Sequence, residues 1–442
     1  MLNMLFDECI LRHGPAQSSA TMRENLEEEQ CPTLSVSARP GAAVRALSPT
    51  PRIAASGNSA VAIPDCVLTG GRVVLPRSVL DGGAIVVRRG RIEAVLEKGD
   101  RIPADLPRRD LGRSWVTPGF VELHIHGCGG VAFDSLGPDP AAGARDLERA
   151  TAFLRDRGVT TFVPTVVSRE SAISALAAAL GELAPAREVT PGIYVEGPFV
   201  NPVRRGGIPL DAISGPDSRL LGRIINLARG RMALMTLAPE LPGYREILAR
   251  LEAVGVLPCL GHSDCSIDRI TLPSGRFSIT HLFNAMSPIS HKEPGLAMLP
   301  FLDRRAFVEL NPDGAHVNEA ALRLCASGLE PDRLVLISDA APPAGLAPGL
   351  YGEGEDALVS GADGVRFASS GTLMGGRLLA PELLRNWLRV TGSSVPNAVR
   401  MLSLTPAQAI GIDDRRGAIA PGLDASFVLW KGEFDEAEEI LE

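Results

Sequence analysis

The sequence predicts a (β/α)8 barrel, and three observations lead there. Eight short apolar runs alternate with helix-like segments through the middle of the chain. The runs are apolar throughout, as expected of parallel strands that helices cover. Histidines and carboxylates recur at the C-terminal ends of those runs, the end at which such barrels carry their chemistry. Eight alternations in one chain favour a closed barrel over an open sheet.

Composition bounds the rest. The chain has 442 residues, of which 45% are hydrophobic, ample for a large core and a second, smaller domain. At 22% charged residues the bulk of the chain is not compositionally disordered. The formal net charge of -8 argues against a nucleic-acid or membrane-surface role, while leaving room for a local basic pocket that binds a phosphate. The cysteines number seven, without a CxxC pair, which fits a reducing cytoplasm better than a disulfide framework. No apolar run reaches bilayer length. The opening residues Met1 to Glu8 lack a basic segment and meet acids too early for a signal peptide.

Residues 1–60 combine the acidic cluster Glu27-Glu28-Glu29 with Ser, Ala and Pro and show no sustained period. They are expected to form a disordered extension, or to lie upstream of the true start. Residues 61–115 bring short apolar runs (Cys66 to Leu68, Arg72 to Leu75, Ala84 to Val87, Arg91 to Leu96) punctuated by Gly70-Gly71, Asp81-Gly82-Gly83 and Arg89-Gly90, the pattern of strands joined by tight turns. A matching segment, Ala425 to Trp430, lies near the other end. Residues 61–115 and 405–434 are therefore expected to build one small β-sandwich, the second part opening with a helix. Residues 435–442 read as an acidic tail.

The barrel is assigned to residues 116–404. Its expected strands are Trp115 to His124, Thr160 to Thr165, Gly192 to Glu196, Met232 to Leu237, Leu257 to His262, Phe277 to His281, Phe307 to Leu310 and Leu334 to Asp339. Ser171 to Leu183 and Asn318 to Ser327 read as helices, the latter with Asn318 as N-cap.

His124, His126, Glu196, His262, His281 and Asp339 all fall at the ends of these runs. Each has a plainer reading alone. An HxH pair occurs on structural strands, Glu196 could be a solvated loop residue, His262 and His281 could be hydrogen-bonded rim histidines, and Asp339 could cap the next helix. Taken together and in this order they point to a divalent metal site. His124 and His126 share one face of an extended segment, so both rings can reach one ion. Imidazole and carboxylate ligands without thiolate suit Zn2+, with Fe2+, Mn2+ or Co2+ also compatible, as one ion or two. Such an ion draws the pKa of a coordinated water towards neutrality. Asp339 is placed to take that proton and hand it to a leaving amine, which implies hydrolysis rather than redox chemistry.

From about Val61 to Trp430 the chain resembles the N-acetylglucosamine-6-phosphate deacetylases of the amidohydrolase superfamily. The resemblance rests on Pro118 to Gly127, Glu196-Gly197-Pro198-Phe199, Gly261-His262-Ser263-Asp264 and Thr280 to Met286. It continues through Glu293-Pro294-Gly295, Asp313-Gly314-Ala315-His316, Ser338-Asp339-Ala340, Gly371 to Gly375 and Leu404-Thr405-Pro406-Ala407. It implies that Glu196, His262 and His281 hold the principal metal, that His124 and His126 are available for a second, and that Asp339 is the general base and acid. It further implies that Asn284 and the backbone of Ala285 contact the sugar phosphate, that His316 contacts the substrate, that Leu373, Met374 and Gly375 close over it, and that the protein is a homodimer.

Two departures stand out. The family's Lys-Gly-Ala-His segment, whose histidine is thought to polarise the acetamide carbonyl, is here Arg205-Gly206-Gly207-Ile208. The loss of one such donor costs about 10²- to 10³-fold in rate. Lys292 replaces the family's usual arginine before Glu-Pro-Gly and can bind phosphate only as a point charge. The expected activity is therefore deacetylation of an N-acetylhexosamine 6-phosphate, with a second metal taking over carbonyl polarisation. The alternatives are an amidohydrolase acting on another N-acyl or cyclic amide, and a weakly active sugar-phosphate-binding relative.

Overall fold

The computed structural model describes residues 63–183 and 189–442, so the expected extension over residues 1–60 lies outside the described residues. Eight parallel strands form one sheet in sequence order: β1 (Phe120–Ile125), β2 (Val159–Val167), β3 (Ile193–Glu196), β4 (Met232–Leu237), β5 (Leu257–Leu260), β6 (Phe277–Ile279), β7 (Ala306–Leu310) and β8 (Leu334–Leu336). β1 and β8 are the two ends of this order, and the residues around them close the circle. Asp339 donates its main-chain N–H to His124 O at 2.9 Å, and His126 does the same to Ala340 O at 2.9 Å. The buried Glu122 carboxylate accepts from His124 N at 3.0 Å and Ser338 N at 3.1 Å.

Side chains alternate across the barrel wall, as strand geometry demands. Ile193 and Val195 pack in the large cluster between sheet and helices, whereas Tyr194 joins Val163, Leu234, Cys259, Phe307 and Val335 in a separate cluster that fills the barrel as side-chain layers do in this architecture. Ala407 belongs to this second cluster. Of the expected helices, Glu170–Glu182 and Glu319–Gly328 form, and the Asn318 side chain caps the latter by accepting from Ala320 N at 2.7 Å.

Two sheets make the second layer structure. One contains Cys66–Thr69, Ala84–Arg88, Arg91–Leu96 and Arg108–Asp110; the other contains Arg72–Val74, Val79–Asp81, Trp115–Pro118, Phe427–Lys431 and Glu436–Leu441. Leu68, Val73, Ile85, Val116, Phe427 and Leu441 are among the residues that fill the space between them.

The structure corrects the sequence reading at three places. The run Trp115 to His124 is two strands in different domains, divided at Gly119, where a Cβ would stand 2.1 Å from Thr160 Oγ1. Residues 435–442 are no acidic tail: Glu436–Leu441 is a strand paired with Phe427–Lys431, and Ala437, Ile440 and Leu441 are buried. The alternation is masked by four glutamates, which occupy the exposed positions or pair with arginines, as Glu442 does with Arg155 at 2.8 Å. Finally, Leu373 to Gly375, expected to close over the substrate, form the last strand of a four-stranded antiparallel sheet inserted after β8, with Gly349–Tyr351, Leu358–Gly361 and Gly364–Phe367.

Candidate metal centre and active-site chamber

Glu196 closes β3 and lies at the centre of the site. Its Oε1 is 3.0 Å from His262 Nε2 and 3.1 Å from His281 Nε2, and these two ring nitrogens are 2.9 Å apart. Its Oε2 is 3.4 Å from His126 Nε2, and its Oε1 is 3.7 Å from His124 Nε2. Two ligand sets of metal type result, Glu196–His262–His281 and His124–His126–Glu196, each with its donor atoms within 4.8 Å of one another. The shared residue is the carboxylate, whose two oxygens can serve two ions.

The donor chemistry fits a divalent cation. His262 Nδ1 donates to Arg204 O at 2.9 Å and His124 Nδ1 to Glu309 Oε2 at 3.0 Å. The other nitrogen of each ring then carries its lone pair towards Glu196. His124 Nε2 is buried without a hydrogen-bond partner. Lone pairs and carboxylate oxygens crowded into a buried space repel one another, and a bound cation relieves that repulsion. Backing of a ligating imidazole by carbonyl or carboxylate is the usual support of such sites.

Backbone conformation carries the same signature. His262, His281, Ala285 and Asp339 have φ of 47°, 30°, 49° and 43°, a left-handed region that non-glycine residues adopt at a cost. At His262, His281 and Asp339 the chain leaving a strand turns sharply, which aims the side chain into the mouth of the barrel. Close packing at Gly261, whose Cβ would meet Thr280 Cβ at 2.6 Å, lets β5 and β6 present His262 and His281 side by side.

Asp339 faces the two histidines of the His124–His126–Glu196 set. Its Oδ1 is 3.6 Å from His124 Nε2 and 3.6 Å from His126 Nε2, and its Oδ2 is 3.4 Å from His316 Nε2. Burial would raise the Asp339 pKa, but the neighbouring His124, His316 and His126 outweigh it and hold the carboxyl down at about 2. Burial likewise opposes ionisation of Glu196, yet His262, His126 and His281 keep it well below the ordinary carboxylate range. His316 is the reciprocal case. Burial favours its neutral form, but Asp313, 2.8 Å from Nδ1, and Asp339 lift its pKa to about 10. His124 and His126 are also raised, against burial, by the surrounding carboxylates.

The ligands open into a chamber of about 400 Å³. His126, Glu196, His262, His281, His316 and Asp339 contribute to its wall, as do Asn284, Ala285, Leu373 and Met374. His124 is fully buried behind the wall. Ile208 lines the chamber and packs with Val200 and Ala212, so no side-chain donor stands at its position. Gly375 does not reach the lining. It lets the strand Leu373–Gly375 press against the end of β8, since a Cβ there would meet Asp339 O at 2.5 Å.

Lys292 lies outside the chamber lining. It is exposed; of the lysines and arginines among the described residues only Arg169 lines the chamber, and it is paired with Asp211 at 3.0 Å. Sequence reasoning also missed Glu309, Arg204 and Asp134, which back the ligands. A glutamate in the otherwise apolar run Phe307 to Leu310 was the one signal available.

Barrel, rim and ligand order define the amidohydrolase class of hydrolases. Residues 115–242 and 319–441 match the amidohydrolase family. N-acetylglucosamine-6-phosphate deacetylase of Bos taurus is 33% identical over 337 residues, 73% of this chain and 81% of that protein. N-acetylgalactosamine-6-phosphate deacetylase of Escherichia coli O157:H7 is 31% identical over 76% of this chain and 88% of that protein. Among solved structures, a mutant of the N-acetyl-D-glucosamine-6-phosphate deacetylase of Mycobacterium smegmatis, in complex with N-acetyl-D-glucosamine-6-phosphate, superposes with a TM-score of 0.74 at 29% identity, covering 85% of this chain and 97% of that one. The chain belongs to the amidohydrolase family, in its N-acetylglucosamine-6-phosphate deacetylase branch.

Proposed function

We propose that the protein is a metal-dependent deacetylase that hydrolyses the acetamide of an N-acetylhexosamine 6-phosphate, N-acetylglucosamine 6-phosphate foremost, to acetate and the amino-sugar phosphate. The observation that carries this reading is the position of Asp339 Oδ1, 3.6 Å from His124 Nε2 and from His126 Nε2, beside a carboxylate shared by two ligand sets. Relatives named for both the gluco and the galacto sugar share about the same identity with the chain, so the 4-epimer belongs among the substrates to be tested.

In this reading Glu196, His262 and His281 hold the principal ion, and Glu196, His124 and His126 hold a second. Zn2+ suits the ligands best, with Fe2+, Mn2+ and Co2+ as alternatives. Bound metal supplies activation of the attacking water and of the carbonyl. The chain's own residues do the rest. Asp339, ionised at neutral pH, takes the water's proton on its carboxylate and returns it to the leaving amine nitrogen. Ile208 offers no hydrogen bond to the carbonyl oxygen, and a cation held by His124, His126 and Glu196 would supply the electrophile in its place. His316, charged between Asp313 and Asp339, orients the substrate. Asn284, the Ala285 main chain and the strand Leu373–Gly375 enclose the sugar phosphate.

Lys292 is exposed and does not line the chamber of its own chain; a second copy could deliver it to a bound phosphate, and a homodimer is part of the proposal. Buried, unbridged cysteines such as Cys128 and Cys325 support a cytoplasmic setting. No helix among the described residues is long and apolar enough to cross a membrane. The net charge of -8 speaks against nucleic acid as a partner.

Acetate release from metal-replete protein tests the reading, with the 6-phosphates of N-acetylglucosamine, N-acetylgalactosamine and N-acetylmannosamine and the unphosphorylated sugars as substrates. A phosphorylated sugar is expected to lead in kcat/KM. Equal values with and without phosphate reject the pocket assignment. A second reading, another N-acyl substrate, is favoured by the apolar Ile208–Val200–Ala212 patch; it gains if no sugar phosphate releases acetate but an N-acyl amide of another class is hydrolysed.

A further inference from the structure

Beneath the ligands lies a carboxylate that the reaction above does not use. Glu309, within β7, has 0% exposure. A buried carboxylate is costly unless donors surround it, and four do. Oε2 accepts from His124 Nδ1 at 3.0 Å and from the His281 main-chain N–H at 3.4 Å. Oε1 accepts from the hydroxyls of Ser278 at 3.0 Å and Tyr194 at 3.2 Å. The Tyr194 hydroxyl receives in turn from Thr236 Oγ1 at 3.0 Å and lies 3.0 Å from Thr280 Oγ1. Side chains from β3, β4 and β6 thus lock the Glu309 carboxylate in place.

The consequence falls on His124. A neutral imidazole carries its hydrogen on either nitrogen, and only the form with hydrogen on Nδ1 presents a lone pair at Nε2. Glu309 selects that form. The selected atom, His124 Nε2, is buried without a hydrogen-bond partner and faces Glu196 Oε1 at 3.7 Å. His126 has no comparable backing: its Nδ1 lacks a hydrogen-bond partner, with Asp134 Oδ2 at 3.6 Å. The other ligand set relies on a different support, the Arg204 carbonyl behind His262.

We propose that Glu309 is the positioning residue of the His124–His126–Glu196 subsite. By fixing the tautomer and orientation of His124 it sets how tightly that subsite holds a divalent cation, while the Glu196–His262–His281 subsite meets Glu309 only through the His281 main-chain N–H. The inference rests on the reading that both ligand sets take an ion.

The full chain, stripped of metal and titrated with Co2+, tests this by calorimetry and visible absorption. Parent, Glu309→Gln, Glu309→Ala, His124→Asn and the Glu309→Ala/His124→Asn double variant are compared, with circular dichroism to monitor folding. The parent is expected to bind two ions. In Glu309→Ala one affinity weakens by about 10- to 100-fold and the other by much less, and Glu309→Gln, which keeps an acceptor oxygen, weakens the first less. His124→Asn is expected to add little to Glu309→Ala, because both act through one ring. A folded Glu309→Ala that binds both ions at parent affinity, or loses both equally, overturns the proposal; if that variant does not fold, the same outcomes in Glu309→Gln decide. A parent that takes one ion overturns the two-ion reading and this proposal with it, whereas two ions in the parent and undiminished variants overturn only the role of Glu309.

Discussion

Asp339 Oδ2 and His316 Nε2 stand 3.4 Å apart, with Asp313 Oδ2 2.8 Å from the other nitrogen of the same ring. One imidazole thus bridges two buried carboxylates. The charged form of His316 restrains Asp339 from one side while the ligand histidines lie on the other. This leaves Oδ1, 3.6 Å from both His124 and His126, as the oxygen free to handle a proton.

Replacing Asp339 by Asn keeps shape and removes the basic oxygen. kcat is expected to fall by about 10²- to 10⁴-fold with KM little changed. Steady-state acetate release and metal analysis check this; parent kcat in a metal-replete Asp339→Asn protein rules out the proton-transfer role.

His316 makes the stability of the metal-free protein depend on alkaline pH. Its folded pKa of about 10 lies above the value of about 6.5 expected in the unfolded chain. Its contribution is therefore fully present below about pH 6.5 and is lost as pH rises towards 10. Urea unfolding between pH 6 and 10 should show a decline in stability that His316→Asn flattens. An unchanged slope in that variant would place the titration elsewhere.

His124→Asn with His126→Asn removes the second ligand set. With Ile208 unable to donate, kcat is expected to drop by about 10²- to 10³-fold while the fold persists, and Ile208→His should restore part of it. Acetate release from the parent, the double variant and the double variant carrying Ile208→His, with circular dichroism, is the measurement; wild-type kcat in the double variant refutes compensation by a second metal.

The C-terminal strand carries structural weight. Ile440 is 1% exposed, and truncating such a side chain costs about 2–5 kcal/mol. Ile440→Ala is expected to lower stability by that amount in denaturant unfolding, and deletion of residues 435–442 to abolish cooperative folding. A truncated protein that melts like the parent would show the strand to be dispensable.

Much of the site was legible in the primary structure because strand ends and chemistry coincide in a barrel. The apolar run before Glu196 marks β3, and the motifs around His262, His281 and Asp339 each follow a run of the same kind. Glu309 was not legible as a site residue: in sequence it is one charge in an apolar strand, and its partner His124 lies 185 residues away. Lys292 is the opposite case. Its motif is readable, but whether a loop side chain reaches the chamber of its own chain depends on how the loop packs.

Local periodicity and motif order therefore determined the barrel, its strand sequence and the six residues at its rim, since these depend on neighbours along the chain. Tertiary structure alone decided that Glu196 is shared between two ligand sets and that the strand Leu373–Gly375 presses on the end of β8. It also decided that the acidic C-terminus is a strand of the sandwich. Each of these depends on distances of a few ångströms between residues far apart in sequence, which closure of the sheet sets and no local pattern encodes.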